Sequence, residues 1–496
     1  MKAFRNHLNA QSARPIIGFS LCWAWIDAAL VGAPLARSVA NNALFGDLTS
    51  MVSVLFCIIT YLLCYCSPGL SSLTRKRSVQ WALALAASAG TLLVGAFAGF
   101  STIAMTTGLC LIGLGMAGIV LMWADDLASD EQNQGYIWVA GSIALSFPLY
   151  LFSVELSDWI RPLVVAALPL ASCALLVSPQ RVAILPKSER IILARRPEDK
   201  DGPYSLRIMG FPCNVAFWFF SFGFVFGIMQ HFFIDSQTLV NSVLMDFQQG
   251  GRALAAVIFF VGLCVLSWKP HTTYRICTAI VLVGLVLVPL VGSNGGFAAG
   301  FISHMAYGFF ECMTWAIVFE AMRTRKADAG AVAGPARLLS AGGLFAGTLV
   351  VVLARDAFAA GALQMQSLLS SSICVLVIAT MMVLDTSGDN NVWAMMKEGS
   401  QSNPGSASAD AEFGDTAGLA ASALGQEYGL THRETQICLL LAQGRTSPYI
   451  SSELLIGVNT VNTHKRRIYQ KLGVHDKQEL IDMVQALPLE APCREA

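Results

Sequence analysis

Two segments near the C-terminus decide the fold of that part of the chain, namely LTHRETQICLLLAQG at positions 430–444 and NTVNTHKRRIYQKLG at positions 459–473. Thr431 stands before a charged turn and can cap the start of a helix, and an acidic residue follows in the first turn. Apolar residues then recur at helical spacing until Gly444, a residue type that ends many helices. The first segment therefore predicts a capped helix.

The second segment predicts an amphipathic helix with one apolar face and one basic face. Val461 and Ile468 fall on the apolar face, at the spacing of residues that pack inward. Lys, Arg, Asn and Thr occupy the opposite face. A short helix is expected before it, near residues 448–455, and a fourth helix near residues 477–487. Short helices around a tight central turn, with a basic third helix, are typical of helix-turn-helix DNA-binding domains.

The same stretch resembles the LuxR/GerE family of transcription regulators over about residues 430–484. The resemblance is carried by Leu430, Thr431, Arg433, Glu434, Leu441, Ala442, Gly444, Ile450, Leu454, Thr460, Val461, His464, Ile468, Tyr469, Lys471, Leu472 and Gly473. The chain departs from the family pattern at Ser451, Gly457 and Asn462, and the last change is expected to alter base preference. The resemblance implies binding to double-stranded promoter DNA, with RNA polymerase as a further partner. It also implies a homodimer that forms through the fourth helix, at residues 480–484.

The third helix of this tail supplies the predicted DNA contacts. Carried over by position, Asn462, Thr463 and Arg466 are expected to face base edges, because Asn and Arg can form paired hydrogen bonds with adenine and guanine. The residues expected to reach phosphates or the groove wall are Thr460, His464, Lys465, Arg467 and Lys471. For Lys471, a plain surface charge is the alternative.

The part of the chain before this tail has the composition of a membrane protein. The chain is 55% apolar and only 13% charged, whereas soluble domains carry about a quarter charged residues. A helix that spans a bilayer needs about 20 mostly apolar residues. Segments of this kind fall near residues 16–33, 47–66, 79–98, 102–123, 136–154, 162–178, 208–234, 253–268, 276–292, 298–320, 337–354 and 366–385. We therefore expect an all-α, polytopic helical bundle in a lipid bilayer.

The basic residues outside the tail predict the orientation of this bundle. With a cytoplasmic N-terminus, the loops on the cytoplasmic side hold most of the Lys and Arg residues, as the positive-inside rule requires. The residues assigned to that side include Arg75, Lys76, Arg77 and Arg337. The outside loops are expected to hold only Arg37, Arg161, Arg252 and Arg355. An even number of spans returns the C-terminus to the cytoplasm, so we expect a multi-pass protein of the inner membrane with both termini inside.

Two groups of six spans, separated by a long basic stretch near residues 179–207, resemble the architecture of the major facilitator superfamily. The family signature in the loop after the second helix is poorly matched, and only Gly69, Arg75, Lys76 and Arg77 of it remain. The acidic residue of that signature is missing from this loop. The departure weakens the expectation of active transport more than the expectation of the fold.

Ionisable residues inside spans are costly, so they are candidates for function. Asp27 lies four residues after Trp23, and Glu311 lies four after Tyr307, so the members of each pair share one helix face. In the resembled fold, the first, fourth, seventh and tenth helices line a central cavity. The candidate ligand-binding residues are Trp23, Asp27, Trp218, His304, Tyr307 and Glu311. The alternative is that these residues form hydrogen bonds between helices that only hold the bundle together.

Between the two parts, residues 386–422 are rich in Ser, Gly, Ala, Asp and Asn and show no apolar period, as is typical of a flexible linker. The predicted domains are therefore a transmembrane domain at 1–385, this linker, and a DNA-binding domain at 423–496. Two glycine patterns, GxGxxG at 113–118 and GxxxG at 343–347, lie inside apolar spans. They are expected to serve close helix packing.

The sequence does not predict an enzyme. The 13 cysteines are scattered, without a CxxC pair or a Cys/His cluster at zinc spacing. We found no nucleophile–base arrangement and no phosphate-binding loop in a suitable context, so we expect no catalysis, cofactor or bound metal. The expected function is that of a membrane-bound one-component transcription regulator whose membrane domain senses a small molecule. The alternative is a transporter of the major facilitator type with a secondary regulatory tail.

Overall fold

The structure, a computed structural model, divides into two compact units, residues 1–399 and 400–496, which we describe separately. The predicted linker lies outside the described residues. The described residues are 10–31, 43–97, 101–129, 135–157, 159–176, 207–236, 242–264, 296–325, 327–384, 424–425, 427–442, 450, 454, 458–474, 479–480 and 483–484.

The first unit is a bundle of helices, as the apolar spans predict. In chain order the helices are α1 (Ala10–Ile26), α2 (Ala43–Cys66), α3 (Pro68–Leu73), α4 (Arg77–Phe97), α5 (Thr102–Ala128), α6 (Gly135–Val154), α7 (Arg161–Leu175), α8 (Cys213–Ser236), α9 (Ser242–Cys264), α10 (Gly296–Arg325), α11 (Ala333–Leu353), α12 (Arg355–Ala359) and α13 (Met365–Leu384). A π-helical turn, Asp27–Val31, continues α1. The span predicted near residues 276–292 lies outside the described residues.

Five of the described helices are long and apolar enough to cross a membrane on length and composition alone. They are Arg77–Phe97, Thr102–Ala128, Gly135–Val154, Cys213–Gln230 and Ala333–Leu353. Shorter apolar stretches, such as Gln249–Cys264, flank them in the chain. Large apolar side chains such as Ile103 and Phe152 point outward, at 82% and 65% exposure. Such a surface suits lipid and would be costly in water.

Strand structure in the described part of the chain is limited to one small hairpin before α8. The strands are β1 (Arg207–Ile208) and β2 (Phe211–Pro212), and they pair antiparallel. Met209 and Gly210 turn the chain between them with positive φ angles of 52° and 86°. The all-α prediction is therefore confirmed for the bundle, with this two-residue ladder as a local addition.

Close helix crossings explain both glycine patterns that the sequence contains. An added Cβ at Gly343 or Gly347 of α11 would clash with the backbone carbonyl oxygens of Phe220 or Phe224 in α8. In the other pattern, a Cβ at Gly113 of α5 would clash with the backbone of α2. Both patterns serve packing inside the bundle, because only residues without a Cβ let the backbones approach so closely.

The loop after α2 has acidic partners, although its own acidic residue is missing. Asp125, near the end of α5, accepts a hydrogen bond from Nε of Arg75 at 3.1 Å. Its other carboxylate oxygen accepts from the backbone N–H of Ala329, after α10, at 2.8 Å. Ser71 donates to Asp328 at 2.5 Å. The carboxylates that tie this end of the bundle together therefore come from elsewhere in the chain.

The second unit has a core of its own. Its described helices are α14 (His432–Ala442) and α15 (Val458–Leu472), which confirms the first and third predicted helices of the tail. Gly473, with a φ of 70°, follows α15. The other two predicted helices lie largely outside the described residues. The core contains Leu424, Ile437, Cys438, Leu441, Ala442, Ile450, Val461, Ile468, Leu472, Val474, Leu480 and Val484.

Candidate functional site

The start of α14 is closed by a reciprocal pair of hydrogen bonds. The backbone N–H of Thr431 donates to Oε2 of Glu434 at 2.9 Å, and the N–H of Glu434 donates to the Thr431 hydroxyl oxygen at 3.3 Å. This arrangement is a capping box, in which side chains satisfy backbone donors that have no partner inside the helix. It fixes where α14 begins and places Glu434 beside α15.

Lys471 of α15 completes this junction between the two helices. Its ammonium group donates to Oε2 of Glu434 at 2.7 Å and to the carbonyl oxygen of Gly429 at 2.8 Å. Burial by itself would raise the pKa of Glu434, but the hydrogen bonds from Lys471 and Thr431 outweigh it and lower that pKa to about 2. We predicted Lys471 as a DNA contact. In the structure its ammonium group has partners inside the domain, and its side chain is 36% exposed.

The outer face of α15 carries the other predicted DNA contacts. Thr460, Asn462, Thr463, Arg466 and Arg467 are exposed. The predicted inner face is confirmed, since the buried residues of this helix are Val461, Ile468 and Leu472. The 3.6-residue period explains the division, because residues three and four apart face the same side.

A shallow concavity of about 590 Å³ lies on this outer face. It is lined by Asn462, Lys465, Arg466, Tyr469, Gln470, Gly473 and Val474. Lys465 is half-buried, and its ammonium lies 5.4 Å from the centre of the Tyr469 ring. His464 is also half-buried, and its Nδ1 atom is buried without a hydrogen-bond partner among the described residues. Tyr469 and Gln470 are additions to the predicted face.

Two apolar residues of the predicted fourth helix are buried inside the domain. Leu480 is fully buried, and Val484 is 5% exposed. We predicted that residues 480–484 form the homodimer interface. For these two side chains the prediction is wrong, because they pack against the core of their own domain and are not available to a second copy.

A second candidate site lies inside the first unit, where eight elements meet. It is a cavity of about 130 Å³ lined by α1, the π-helical turn that continues it, and helices α2, α5, α8, α9, α10 and α11. The lining includes Trp23, Asp27, Ser53, Cys57, Tyr61, Phe226, Gln230, Gln249, Arg252, His304, Tyr307, Glu311, Arg337 and Ser340. Five of the six predicted ligand-binding residues are therefore brought together.

Four charged side chains form a connected cluster at this cavity. Arg252 donates from Nη1 to Asp27 at 2.6 Å and from Nε to Glu311 at 2.9 Å. Arg337 donates to the second oxygen of Glu311 at 3.2 Å. Asp27, Glu311 and Arg252 are 5%, 1% and 6% exposed. The cluster joins α1 to α9, α10 and α11 and is neutral as a whole, since it contains two guanidinium groups and two carboxylates.

The structure corrects the sequence-based assignment of both arginines of this cluster to loops. Arg252 was placed in an outside loop and Arg337 on the cytoplasmic side, and both were counted as evidence for orientation. Arg252 instead lies within α9, ten residues after Ser242, and Arg337 lies in the first turns of α11. Their partners are buried carboxylates, so neither arginine can serve as a loop charge.

Trp23 lies close to both guanidinium groups. The ring centre of Trp23 is 4.8 Å from the guanidinium carbon of Arg252 and 5.6 Å from that of Arg337. Contacts of this kind are attractive, because the negative face of an indole ring favours a cation. The indole N–H of Trp23 is buried and has no hydrogen-bond partner among the described residues.

His304 is held by hydrogen bonds that fix its protonation pattern. Its Nδ1 lies 2.8 Å from the carbonyl oxygen of Gly300, which can only accept, so Nδ1 carries a proton. Nε2 of a neutral ring then accepts from the amide of Gln249, at 3.2 Å. Tyr307 stacks on Phe226 with ring centres 4.0 Å apart. These residues form a polar wall and an aromatic wall of the cavity.

Trp218 is the predicted ligand-binding residue that does not line the cavity. It is 1% exposed and packs against Phe219, Phe222 and Phe310. Phe226 of the same helix occupies the cavity wall instead. Trp218 precedes Phe226 by eight residues, which corresponds to roughly 12 Å along a helix axis. The seventh predicted span does reach the cavity, but two turns beyond the tryptophan.

Comparison with known proteins separates the two units in the same way. Residues 429–484 match the family described as bacterial regulatory proteins, luxR family. Over 58 residues the chain is 41% identical to the HTH-type transcriptional regulators MalT of Serratia proteamaculans (strain 568) and of Yersinia pestis (strain Pestoides F). This match covers 12% of the present chain and only 6% of each MalT chain.

The helical bundle is similar in fold to solved transporter structures. One is the proton:xylose symporter XylE of the major facilitator superfamily, with a TM-score of 0.53 and 12% identity, over 77% of this chain and 96% of that chain. Another is a bacterial homologue of the iron transporter ferroportin, with a TM-score of 0.51 and 13% identity, over 75% and 98% of the two chains. This chain therefore joins a helical membrane domain, similar in fold to transporters of the major facilitator superfamily, to a C-terminal segment that matches the luxR family of bacterial regulatory proteins.

Proposed function

We propose that this protein is a membrane-bound, one-component transcription regulator. Its membrane domain senses a small molecule, and its C-terminal domain binds promoter DNA. The observation that supports this best is the division of α15 into a buried apolar face and an exposed face that carries Asn462, Thr463 and Arg466. The matched MalT proteins are transcriptional regulators by name, and their similarity covers this same part of the chain.

On DNA, the exposed face of α15 enters the major groove. Asn462, Thr463 and Arg466 read base edges, because their amide, hydroxyl and guanidinium groups offer the donors and acceptors that distinguish base pairs. The residues that contact phosphates or the groove wall are Thr460, His464, Lys465 and Arg467. Lys471 contributes to this surface indirectly, since it holds α15 against the start of α14.

In the membrane domain, the neutral charge cluster is the sensing element. Asp27 follows α1, whereas Arg252, Glu311 and Arg337 belong to α9, α10 and α11. A ligand that changes these ion pairs therefore changes how α1 packs against the other three helices. A ligand shifts such an equilibrium only when it binds one arrangement more tightly than the other. Charged partners inside the cavity provide that difference in affinity.

We further propose that the protein lies in the inner membrane with both termini in the cytoplasm, where its DNA is. It binds its promoter site as a homodimer and contacts RNA polymerase there. Because Leu480 and Val484 are buried in their own domain, the dimer contact uses other residues of the tail. The proposal includes no enzymatic step and no cofactor.

A genome-wide map of the DNA crosslinked to the full-length protein in its native cell tests the regulatory proposal. We expect sharp peaks at a small set of promoters, and we expect Arg466→Ala to abolish them. Glu427→Ala is the control, since Glu427 is an exposed charge of the same unit that lies before α14. An absence of promoter peaks for the unmodified protein under several growth conditions would count against the proposal.

Transport with a secondary regulatory tail is the second candidate function. It is favoured by the fold shared with the symporter XylE and by the charges inside the cavity. Uptake of labelled compounds into membrane vesicles, abolished by Asp27→Asn and by Glu311→Gln, would support it. If the protein is a regulator, we expect the same substitutions to change promoter occupancy. In that case we also expect the unmodified protein to show no uptake.

A further inference from the structure

We propose that the cavity binds a small carboxylate, about one aromatic ring in size, which takes the place of Asp27 at Arg252 while Asp27 takes up one proton. This inference rests on the proposed sensory function and names the chemical class of the sensed molecule. The ligand enters as a monoanion, and the proton comes from the solvent. The cluster then holds two guanidinium groups, Glu311, the ligand carboxylate and a neutral Asp27, so it stays neutral.

The first argument is the charge balance of the cluster. An ionised ligand of either sign leaves one charge too many in a buried site, where an unpaired charge is very costly. Excess negative charge can be removed by protonation of a carboxylate. Excess positive charge cannot be removed in the same way, because Arg252 and Arg337 do not lose their protons. The cluster therefore adapts to an anion and not to a cation.

The second argument identifies which carboxylate loses its partner and takes up the proton. Glu311 accepts hydrogen bonds from both Arg252 and Arg337. Asp27 accepts from Arg252, and no bond to Arg337 is recorded for it in the described part of the chain. If a ligand occupies Arg252, Glu311 keeps Arg337 as a partner, whereas Asp27 loses the guanidinium that balances its charge. Asp27 is therefore the group that takes up the proton.

The groups around Asp27 are consistent with proton uptake by Asp27. The titratable and charged groups that line the cavity with it are Cys57 and Tyr61 of α2, Arg252 of α9, His304, Tyr307 and Glu311 of α10, and Arg337 of α11. Helix α6, which also packs against the π-helical turn, contains no Asp, Glu, His, Lys or Arg. His304 is already engaged at both ring nitrogens.

The third argument is the unsatisfied donor of Trp23. Its indole N–H is buried and has no partner among the described residues, although Trp23 lines the cavity. A buried donor without an acceptor is unfavourable. An indole N–H can donate but not accept, so it calls for a ligand atom that accepts. A carboxylate oxygen supplies that acceptor, whereas an ammonium group supplies only donors.

The size and walls of the cavity define the rest of the ligand. A protein cavity of about 150 Å³ holds a single benzene ring, and this one measures about 130 Å³. Trp23, Phe226 and Tyr307 provide aromatic surfaces around it. A ligand with one flat ring matches this volume, and its carboxylate takes the place of the Asp27 carboxylate at Arg252.

Calorimetric titration of the full-length protein in lipid nanodiscs tests the inference with benzoate, benzamide and benzylamine. These probes have a ring of the same size and carry a carboxylate, a neutral amide and an ammonium group. We expect benzamide and benzylamine to bind at least about tenfold more weakly than benzoate, as the loss of a charge-assisted hydrogen bond implies. Titrations in two buffers with different ionisation enthalpies give the number of protons taken up, and we expect about one per benzoate, as the charge balance requires.

Three variants locate the proton and the anion. Asp27→Asn should bind benzoate without proton uptake. The double variant D27N/R252Q keeps the neutral Glu311–Arg337 pair, which favours correct folding, and should lose benzoate binding. Asp126→Asn is the matched control, because Asp126 is equally buried and paired with Arg14 at 2.8 Å, outside the cavity lining. It should leave benzoate binding and proton uptake unchanged.

Several results would overturn the carboxylate inference. These are equal binding of benzamide or benzylamine, benzoate binding without proton uptake, unchanged uptake in Asp27→Asn, and no benzoate binding at millimolar concentration. Promoter occupancy by the same protein separates this inference from the sensory proposal. If benzoate binds with proton uptake but leaves DNA binding unchanged, only the sensory proposal is contradicted. If a neutral or basic aromatic compound changes DNA binding through the cavity, only the carboxylate inference is contradicted.

Discussion

Replacement of Lys471 by Met should destabilise the C-terminal unit at neutral pH and leave it unaffected in strong acid. Glu434 is 3% exposed, and Lys471 is its charged partner at 2.7 Å. The pKa of Glu434 is lowered from 4.5 to about 2. At about 1.4 kcal/mol per pKa unit, this shift corresponds to roughly 3 kcal/mol of folding free energy. Part of this shift comes from the hydrogen bonds of Thr431, which Lys471→Met leaves in place. Because the Lys471 side chain is also 36% exposed, solvent screens the pair, and we expect a loss of ~1–2 kcal/mol.

The pH dependence follows from the direction of the shift. The folded state binds the Glu434 proton more weakly than the unfolded state does, so the ionised form stabilises the fold. This contribution is fully present above the unfolded pKa of about 4.5 and is lost as the pH falls through about 2. The difference between the unmodified protein and Lys471→Met should therefore shrink over the same interval.

Urea unfolding of residues 400–496, followed by circular dichroism at neutral pH and at about pH 2, measures this difference. Gln470→Met is the control, because Gln470 is exposed on the same helix and its replacement should change stability by less than about 0.5 kcal/mol. If Lys471→Met keeps full stability but weakens DNA binding as much as loss of a phosphate contact does, the structural role is refuted. In that case the original prediction of a DNA contact is correct.

Three further predictions concern other parts of the chain. Arg466→Ala should weaken binding to the specific promoter site by ~1–3 kcal/mol in fluorescence anisotropy, and unchanged affinity would remove this residue from the recognition face. Leu480→Ala should destabilise the C-terminal unit by ~2–5 kcal/mol in urea unfolding, because Leu480 is fully buried in that unit; a change in dimerisation at unchanged stability would contradict this. Gly343→Leu should reduce the thermal stability of the detergent-solubilised protein, since its side chain would meet the α8 backbone, whereas Gly342→Leu faces open space and should be tolerated. Equal effects of the two substitutions would refute the close crossing of α8 and α11.

The elements that follow local rules were predictable from the sequence. The capping residue Thr431 and the inward residues Val461 and Ile468 depend only on helical periodicity and on hydrogen bonds within one turn. The glycine pattern at 343–347 was assigned to packing because an apolar span offers few other uses for it. For Thr431, Val461 and Ile468 the physical cause lies within a few residues of its effect, so one stretch of sequence contains the information. The glycine pattern indicated a close helix crossing, but its partner α8 is distant in the chain and was not predicted.

The charge cluster was only half predictable, because its pairs are distant in the chain. Asp27 and Arg252 are separated by 225 positions, and nothing near either residue identifies the other. A buried carboxylate stands out within an apolar span, so Asp27 and Glu311 were found. An arginine near the edge of a hydropathy window was assigned to a loop, which misplaced Arg252 and Arg337. The prediction of Trp218 as a ligand-binding residue identified the correct helix, but not the depth at which that helix meets the cavity.

A buried charge cluster is a poor means of holding helices together. Desolvation of ion pairs offsets most of their attraction, and apolar packing of the same volume is often equally or more stabilising. The bundle already has close backbone crossings, such as that of Gly343 against α8, which do not depend on charge. Removal of one partner of a buried pair, by contrast, is strongly unfavourable. The Asp27–Arg252–Glu311–Arg337 cluster therefore adds little to stability but makes the packing of α1 highly sensitive to any group that competes for one of its charges. That sensitivity is the property a sensor requires.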